Sequence, residues 1–305
     1  MLLQTVVSGL SAGAVIGLVA LGFTLVAGTV RVLHLAHGDI VVASVFTGVL
    51  LVLGRTPVAT SLAPAEAVGF ALLVLAAGAV LSGAAGWFAV RPYLPDVTTG
   101  REGDVLGWVA GLVAAGLLLR EVLGLLLPQE AYAVPDPFRL DRLLSDSGVV
   151  GLPGGGTLPG RVPAVLVLGV VVGVLAERVL VRSRLGKGLR AVADDPDAAA
   201  LCGVPARRVV IVAFVLAGLL AGVAGLLVAP GRALGVDDGV ILGLEGAAAA
   251  FVGGLGSVRG ALVAGLGVGL LQAFAAQAQP AYGDLAPLLL LVLVLAVRPQ
   301  GLRQA

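Results

Sequence analysis

Apolar stretches long enough to cross a lipid bilayer recur along this chain, and they restrict its fold more than any other feature. They run from about Thr5 to Val30, Ala65 to Val90, Val105 to Leu127 and Val209 to Ala229. A helix needs about 20 apolar residues to cross the ~30 Å hydrocarbon core, and in lipid its backbone must satisfy its own hydrogen bonds. Only 12% of residues are charged and 59% are hydrophobic, where a soluble domain carries about 25% charge. Too little polar surface exists to cover a globule in water. The expected fold is all-α: a polytopic helical membrane protein, a single transmembrane domain over residues 1–305.

Shorter or interrupted stretches complete the set. About Ile40 to Leu53 is rather short, about Ala164 to Leu180 precedes a basic block, and about Leu285 to Val297 precedes a basic tail. Val240 to Gln277 is too long for one span and breaks at Gly253-Gly254-Leu255-Gly256, where a tight turn or re-entrant helix is expected. The count is eight or nine crossings. Gly9, Gly13 and Gly17 recur every fourth residue, a stripe that lets helix backbones approach closely in lipid. Gly218, Gly222 and Gly225 do much the same in the Val209 span.

Orientation follows the arginines. The region from Arg178 to Arg208 is the richest basic block, so it faces the cytoplasm. The acidic Pro128–Pro163 linker then lies outside, and Arg91–Arg101, Arg259 and the Arg298–Arg303 tail lie inside. The first positive residue is Arg31, so the N-terminus reads as a retained span starting outside, with the C-terminus cytoplasmic. The lone Cys202 has no internal disulfide partner, and the net charge of +1 points to no nucleic-acid partner.

Few residues inside the spans carry chemistry. His34, His37 and Asp39 interrupt the N-terminal half in the sequence HLAHGD. The i, i+3 histidines suit one helix face, but no further His and no Cys stands near them, so a polar hinge fits better than a metal site. Asp39 reads as a cap for the next span. Arg120 and Glu121 point about 100° apart on a helix and read as snorkelling side chains. Glu245 lies in a Gly/Ala-rich half-segment, where a carboxylate either lines a pathway or sits at the outer interface near Asp237 and Asp238. With His34, His37 and Asp39, it and the hinge glycines Gly253, Gly254 and Gly256 form the pathway or gating set. The sequence holds no catalytic elbow, no zinc-protease helix and no Walker A loop, so neither an enzyme nor a self-powered pump is expected. No cofactor is expected either.

The polar run RSRLGKGLRAVADDPDAAALCGVPARR, residues 182–208, contains one more bounded element. Asp195 caps, Pro196 suits the first helical position, Ala198 and Ala199 continue, and Gly203 and Pro205 end it. The short helix from Pro196 to Cys202 is too short to be stable alone, so it must dock. Such a helix on a basic face, in a chain without an engine, reads as the docking element for one on another chain.

Taken together these stretches resemble the permease subunits of the branched-chain amino-acid ABC importers, the H-type in particular. GLSAGAVIGLVALGFTLVAGTVRVLHLAHGDI is similar to their N-terminal signature, with His34-Leu35 and Asp39 where the family usually has Asn-Phe and Glu. SRLGKGLRAVADDPDAAALCGVPARRV resembles their cytoplasmic coupling loop, with Asp197 in place of Glu in the Glu-Ala-Ala-x-x-x-Gly pattern. FVGGLGSVRGALVAG and RPQGL are also family-like. The resemblance implies a pore half in a bacterial inner membrane, paired with a second related permease in a heterodimer. It implies two ATPase subunits, one of them docking on the coupling loop of Arg190, Asp195, Pro196, Asp197, Ala198, Ala199, Gly203 and Arg207, and an extracytoplasmic substrate-binding protein. Related permeases carry urea, short amides or sugars, which remain alternatives. A self-sufficient secondary transporter, coupled through Glu245 or Glu66, is the reading from another class.

Overall fold

Helix α1, Leu2–Val30, is apolar on all sides and buried along most of its length, as befits a central rather than a lipid-facing helix. It stops where Arg31 takes a left-handed φ of 57°, a conformation that costs an L-residue roughly 1–2 kcal/mol. The computed structural model describes residues 2–52, 54, 62–90, 92, 105–127, 131–143, 146–151 and 156–297. The expected inside loop Arg91–Arg101, apart from Pro92, and the Arg298–Arg303 tail lie outside the described residues.

After α1 come α2 (His37–Val52), α3 (Pro64–Ala85, extended by a π-helical turn Gly86–Val90), α4 (Val105–Leu126) and the single-turn α5 (Leu140–Leu143). A short hairpin of β1 (Val149–Gly151) and β2 (Thr157–Pro159) leads into α6 (Arg161–Arg182). Then follow α7 (Arg184–Asp194), α8 (Pro196–Leu201), α9 (Ala206–Val228), α10 (Asp238–Gly253), α11 (Val258–Ala278) and α12 (Pro280–Val297). The stretch expected to be a bare linker thus carries structure. Asp136 accepts hydrogen bonds from the Phe138 and Leu140 amides, at 3.0 and 2.7 Å, and Leu140 and Leu158 are buried.

Seven helices, rather than eight or nine, are long and apolar enough to cross a membrane among the described residues. The difference lies in α2 and α10, each of 16 residues. At 1.5 Å per residue each reaches only about 24 Å, short of a ~30 Å core. The expected break is real: α10 ends at Gly253, and Gly254 and Gly256 take φ of 88° and 92° in a turn that leads straight into α11. Glu66 forms no part of an intramembrane pair; its Oε2 accepts from the Ala63 amide at 3.0 Å and helps cap α3, with Pro64 in the first turn.

Two antiparallel small-residue seams hold the bundle together. Along α1, a methyl placed on Gly9 would lie 2.8 Å from Ala273 Cβ, one on Gly13 2.7 Å from Gly265 O, and one on Gly17 3.1 Å from Leu262 Cδ1. Along α9, a methyl on Gly218 would lie 2.6 Å from Ser82 Cβ and one on Gly222 3.1 Å from Val74 O. So α1 pairs with α11 and α9 with α3, backbone against backbone. Lipid tails are as apolar as leucine, so association here rests on this close van der Waals fit.

Candidate functional site: a polar bundle centre and an external capped helix

The turn after α1 returns into the bundle. His34 is fully buried, with Nε2 3.0 Å from Ser82 Oγ on α3. Ser82 Oγ donates its only hydrogen to the Phe214 carbonyl on α9, at 2.6 Å. The hydroxyl must therefore accept from the imidazole, so Nε2 carries the ring hydrogen. The His34 ring also packs on the Phe214 ring, centroids 4.6 Å apart. One side chain thus ties the broken segment to α3 and α9.

His37, the first residue of α2, is also fully buried. Its ring stands edge-on to Phe23 at 5.2 Å and lies 5.3 Å from the His34 ring. Neither ring nitrogen has a hydrogen-bond partner among the described residues. An unpaired polar group in the interior costs roughly 1–3 kcal/mol, which sets the His37 ring apart from the hydrogen-bonded His34 ring. Among the described residues no cluster of three or more metal-ligating side chains forms.

The starts of α2 and α10 meet here. A methyl on Gly38 would lie 2.6 Å from Gly243 Cα, and one on Gly239 2.8 Å from Asp39 Cα. Asp39 does not cap α2, because the helix begins two residues earlier, at His37. Its Oδ1 is buried without a hydrogen-bond partner among the described residues, and its other oxygen faces Gly116 of α4. One turn further along α4, Arg120 Nε pairs with Asp237 Oδ1 at 2.6 Å. Arg120 is thereby fixed to the start of α10 rather than merely snorkelling.

Glu245 is 5% exposed, buried within the protein. Its Oε1 accepts from Gln272 Nε2 of α11 at 2.8 Å. Beside it, Gly246 packs on Val19 and Phe23, and Phe23 in turn touches the His37 ring. Val19 and Phe23 lie well inside α1, Phe23 about 10 Å from its C-terminal end. His34, His37, Asp39 and Glu245 are therefore brought into one interior region. Gly253, Gly254 and Gly256 are not part of it; they shape the turn between α10 and α11.

The second feature is α7 with α8. Ser183 caps α7 by accepting from the Gly186 amide at 3.2 Å. Arg190 donates to the Leu180 and Val181 carbonyls at 3.0 and 3.1 Å, fastening α7 to the end of α6. The Leu189 side chain joins a buried cluster that includes Leu25, Ala85, Trp108 and Phe214. Asp195 Oδ1 accepts from the Asp197 and Ala198 amides, both at 2.9 Å, and Pro196 occupies the first turn of α8. Gly203 takes φ 81°, and the Val204 amide reaches back to Ala199 O at 2.9 Å, a Schellman closure.

The short helix is therefore bounded as its sequence predicts, but its faces sort differently. Ala199 points inward, whereas Asp197, Ala198 and Ala200 face out and Leu201 is 91% exposed. Arg207 lines a surface pocket with Trp87, Phe88 and Pro92. Sequence reasoning passed over Ser82, Phe214 and Gln272, which are ordinary residues of apolar helices until the fold pairs them. Leu201 was findable as the one large apolar residue of the short helix.

A family model described as "Branched-chain amino acid transport system / permease component" matches residues 5–295. The chain is 27% identical over 310 residues to the Escherichia coli K12 "High-affinity branched-chain amino acid transport system permease protein LivH", covering 98% of this chain and 94% of that one. It is 28% identical over 308 residues to the corresponding protein BraD of Pseudomonas aeruginosa, covering 98% and 95%. A partial match, 35% over 94 residues and 28% of each chain, joins it to the "L-arabinose ABC transporter permease protein AraH" of Azospirillum brasilense.

Proposed function

We propose, because the chain belongs to the branched-chain amino-acid transport permease family, that it is the substrate-translocating half-pore of an ABC importer for branched-chain or related amino acids. The whole chain acts as one transmembrane domain in a bacterial inner membrane, with α7 and α8 in the cytoplasm, the N-terminus outside and the C-terminus inside. A second, related permease completes the pore as a heterodimer. Of the two ATPase subunits, one binds α8, and an extracytoplasmic binding protein delivers the amino acid.

The observation that carries this reading is α8 itself. It is capped at both ends and braced through Arg190 and Leu189, and it holds Leu201 out at 91% exposure. A leucine held out on a rigid, self-capped helix fits an apolar pocket on a partner. Rocking driven at α8 would pass through α7 into the cluster around Phe214, and so to His34. That gives two alternating arrangements of a packed bundle rather than a continuous deformation. His34, His37, Asp39 and Glu245 are the groups along which the solute would pass or be gated.

Co-purification of the ATPase tests this, comparing wild type with Leu201→Glu and Ala200→Glu. Ala199 is unsuitable for this purpose, since it packs inward. Loss of the ATPase from a permease that still elutes as a folded particle supports the reading; unchanged assembly and uptake overturn it. The partial likeness to an arabinose permease favours a second reading, a sugar permease of the same architecture. Competition of labelled leucine uptake by L-arabinose, urea and acetamide separates the alternatives.

A further inference from the structure

On the α7 side of the bundle a cavity of about 440 Å³ opens between α1, α6, α7 and the α10–α11 turn. That volume lies within the ~300–1,000 Å³ range of small-molecule sites. Its lining combines the apolar side chains of Leu25, Leu180, Leu189 and Val258 with the ion pair of Glu177 on α6 and Arg259 on α11. The Glu177 side chain is 15% exposed and that of Arg259 78%. Thr24, also in the lining, is 1% exposed and its hydroxyl has no hydrogen-bond partner among the described residues. Backbone rather than side chain faces the cavity at Gly28 and Gly256; a methyl on Gly28 would lie 3.1 Å from Gly256 Cα.

A matched acid and base beside apolar side chains is the complement of a free aliphatic α-amino acid. We propose that this cavity is a cytosol-side site for such an amino acid, through which accumulated product slows the transporter. Its carboxylate pairs with Arg259, its ammonium with Glu177, its side chain lies among the leucines, and Thr24 supplies a further hydrogen bond. An ion pair with one exposed member contributes little, so exchanging it for two pairs to a zwitterion is cheap. The position supplies the consequence. Glu177 stands on the helix that leads into α7 and α8, and Arg259 follows the turn that ends α10. An occupant inserted between them holds α6 and α11 at one spacing, and a ligand that binds one arrangement better shifts the balance toward it.

The inference rests on the amino-acid importer reading, so the test separates the two. The full complex in nanodiscs, without binding protein, is titrated with radiolabelled L-leucine, and the same complex with binding protein in proteoliposomes is assayed for leucine uptake. Wild type should bind leucine, and neither isovalerate nor isoamylamine, which each lack one charge, should displace it. Arg259→Gln should weaken binding about tenfold or more, as loss of a charged hydrogen-bond partner implies. Val181→Trp, at a half-exposed position of the lining, should block it without touching the ion pair. Uptake without binding, binding indifferent to both variants, or displacement by the acid or the amine alone overturns the pocket. Absence of leucine uptake overturns the importer reading and this inference with it.

Discussion

Gly22 on α1 and His37 at the start of α2 leave no room between backbone and ring: a methyl on Gly22 would overlap His37 Nε2. The imidazole thus occupies a space that only glycine leaves open. Gly22→Ala should destabilise the folded protein by about 1–3 kcal/mol, as overpacking of a well-filled core does. His37→Ala in the same chain should return most of that loss. Thermal denaturation of the two single variants and the double variant in detergent measures the coupling. Additive effects would show that His37 can leave the Gly22 face without penalty.

The second expectation concerns the His34–Ser82–Phe214 chain. Ser82→Ala removes a hydroxyl that both accepts and donates, leaving the buried His34 N–H without its partner while the Phe214 carbonyl keeps its bond within α9. The cost should be about 1–3 kcal/mol, larger than that of Ser44→Ala. Ser44 Oγ donates only to Val41 O within its own helix, at 2.8 Å. Comparative denaturation of the two variants decides it.

These two arrangements show where the sequence was readable. The glycine stripe of α1, the capped helix α8 and the break before α11 are local patterns, written by residues close together in the chain, and each appeared where its spacing placed it. Helix count failed at α2 and α10, because apolar composition does not reveal that a helix starts inside the bundle. The ion pair of Arg120 with Asp237 and the Ser82 relay join residues far apart in sequence, and nothing local distinguishes Asp237 from Asp238 as the partner. Ala199 lies in the short helix that its sequence predicts, but its direction depends on how α8 sits against the body.

The seams offer a sharper comparison. A methyl on Gly13 would lie 2.7 Å from both Gly265 O and Leu266 Cα, whereas nothing stands within 4 Å of one on Gly267. Gly13→Ala should therefore reduce the yield of folded protein or lower its melting temperature. Gly267→Ala, a glycine inside a helix with open space, should stabilise by about 0.4–1 kcal/mol. Opposite signs for two identical substitutions in paired helices are the expected result, read by melting curves in one detergent. Equal effects would dissolve the close seam between α1 and α11.

The last prediction separates attachment from transmission. Leu201 lies on the outer face of α8, while Arg190 lies behind it, donating to the carbonyls that end α6. Arg190→Ala removes two charge-assisted hydrogen bonds of about 1.5–3 kcal/mol each, but leaves the Asp195 cap, Pro196 and the Gly203 closure intact. Helix α8 should still form and still hold its partner, yet α7 should move more freely on α6. Hydrogen exchange should then speed up in residues 184–194 while the spans keep their protection. Co-purification of the ATPase should persist and solute uptake should fall. Loss of attachment instead would place Arg190 in the contact surface, and unchanged uptake would mean that motion reaches the bundle by another route, through the direct link from α8 to α9.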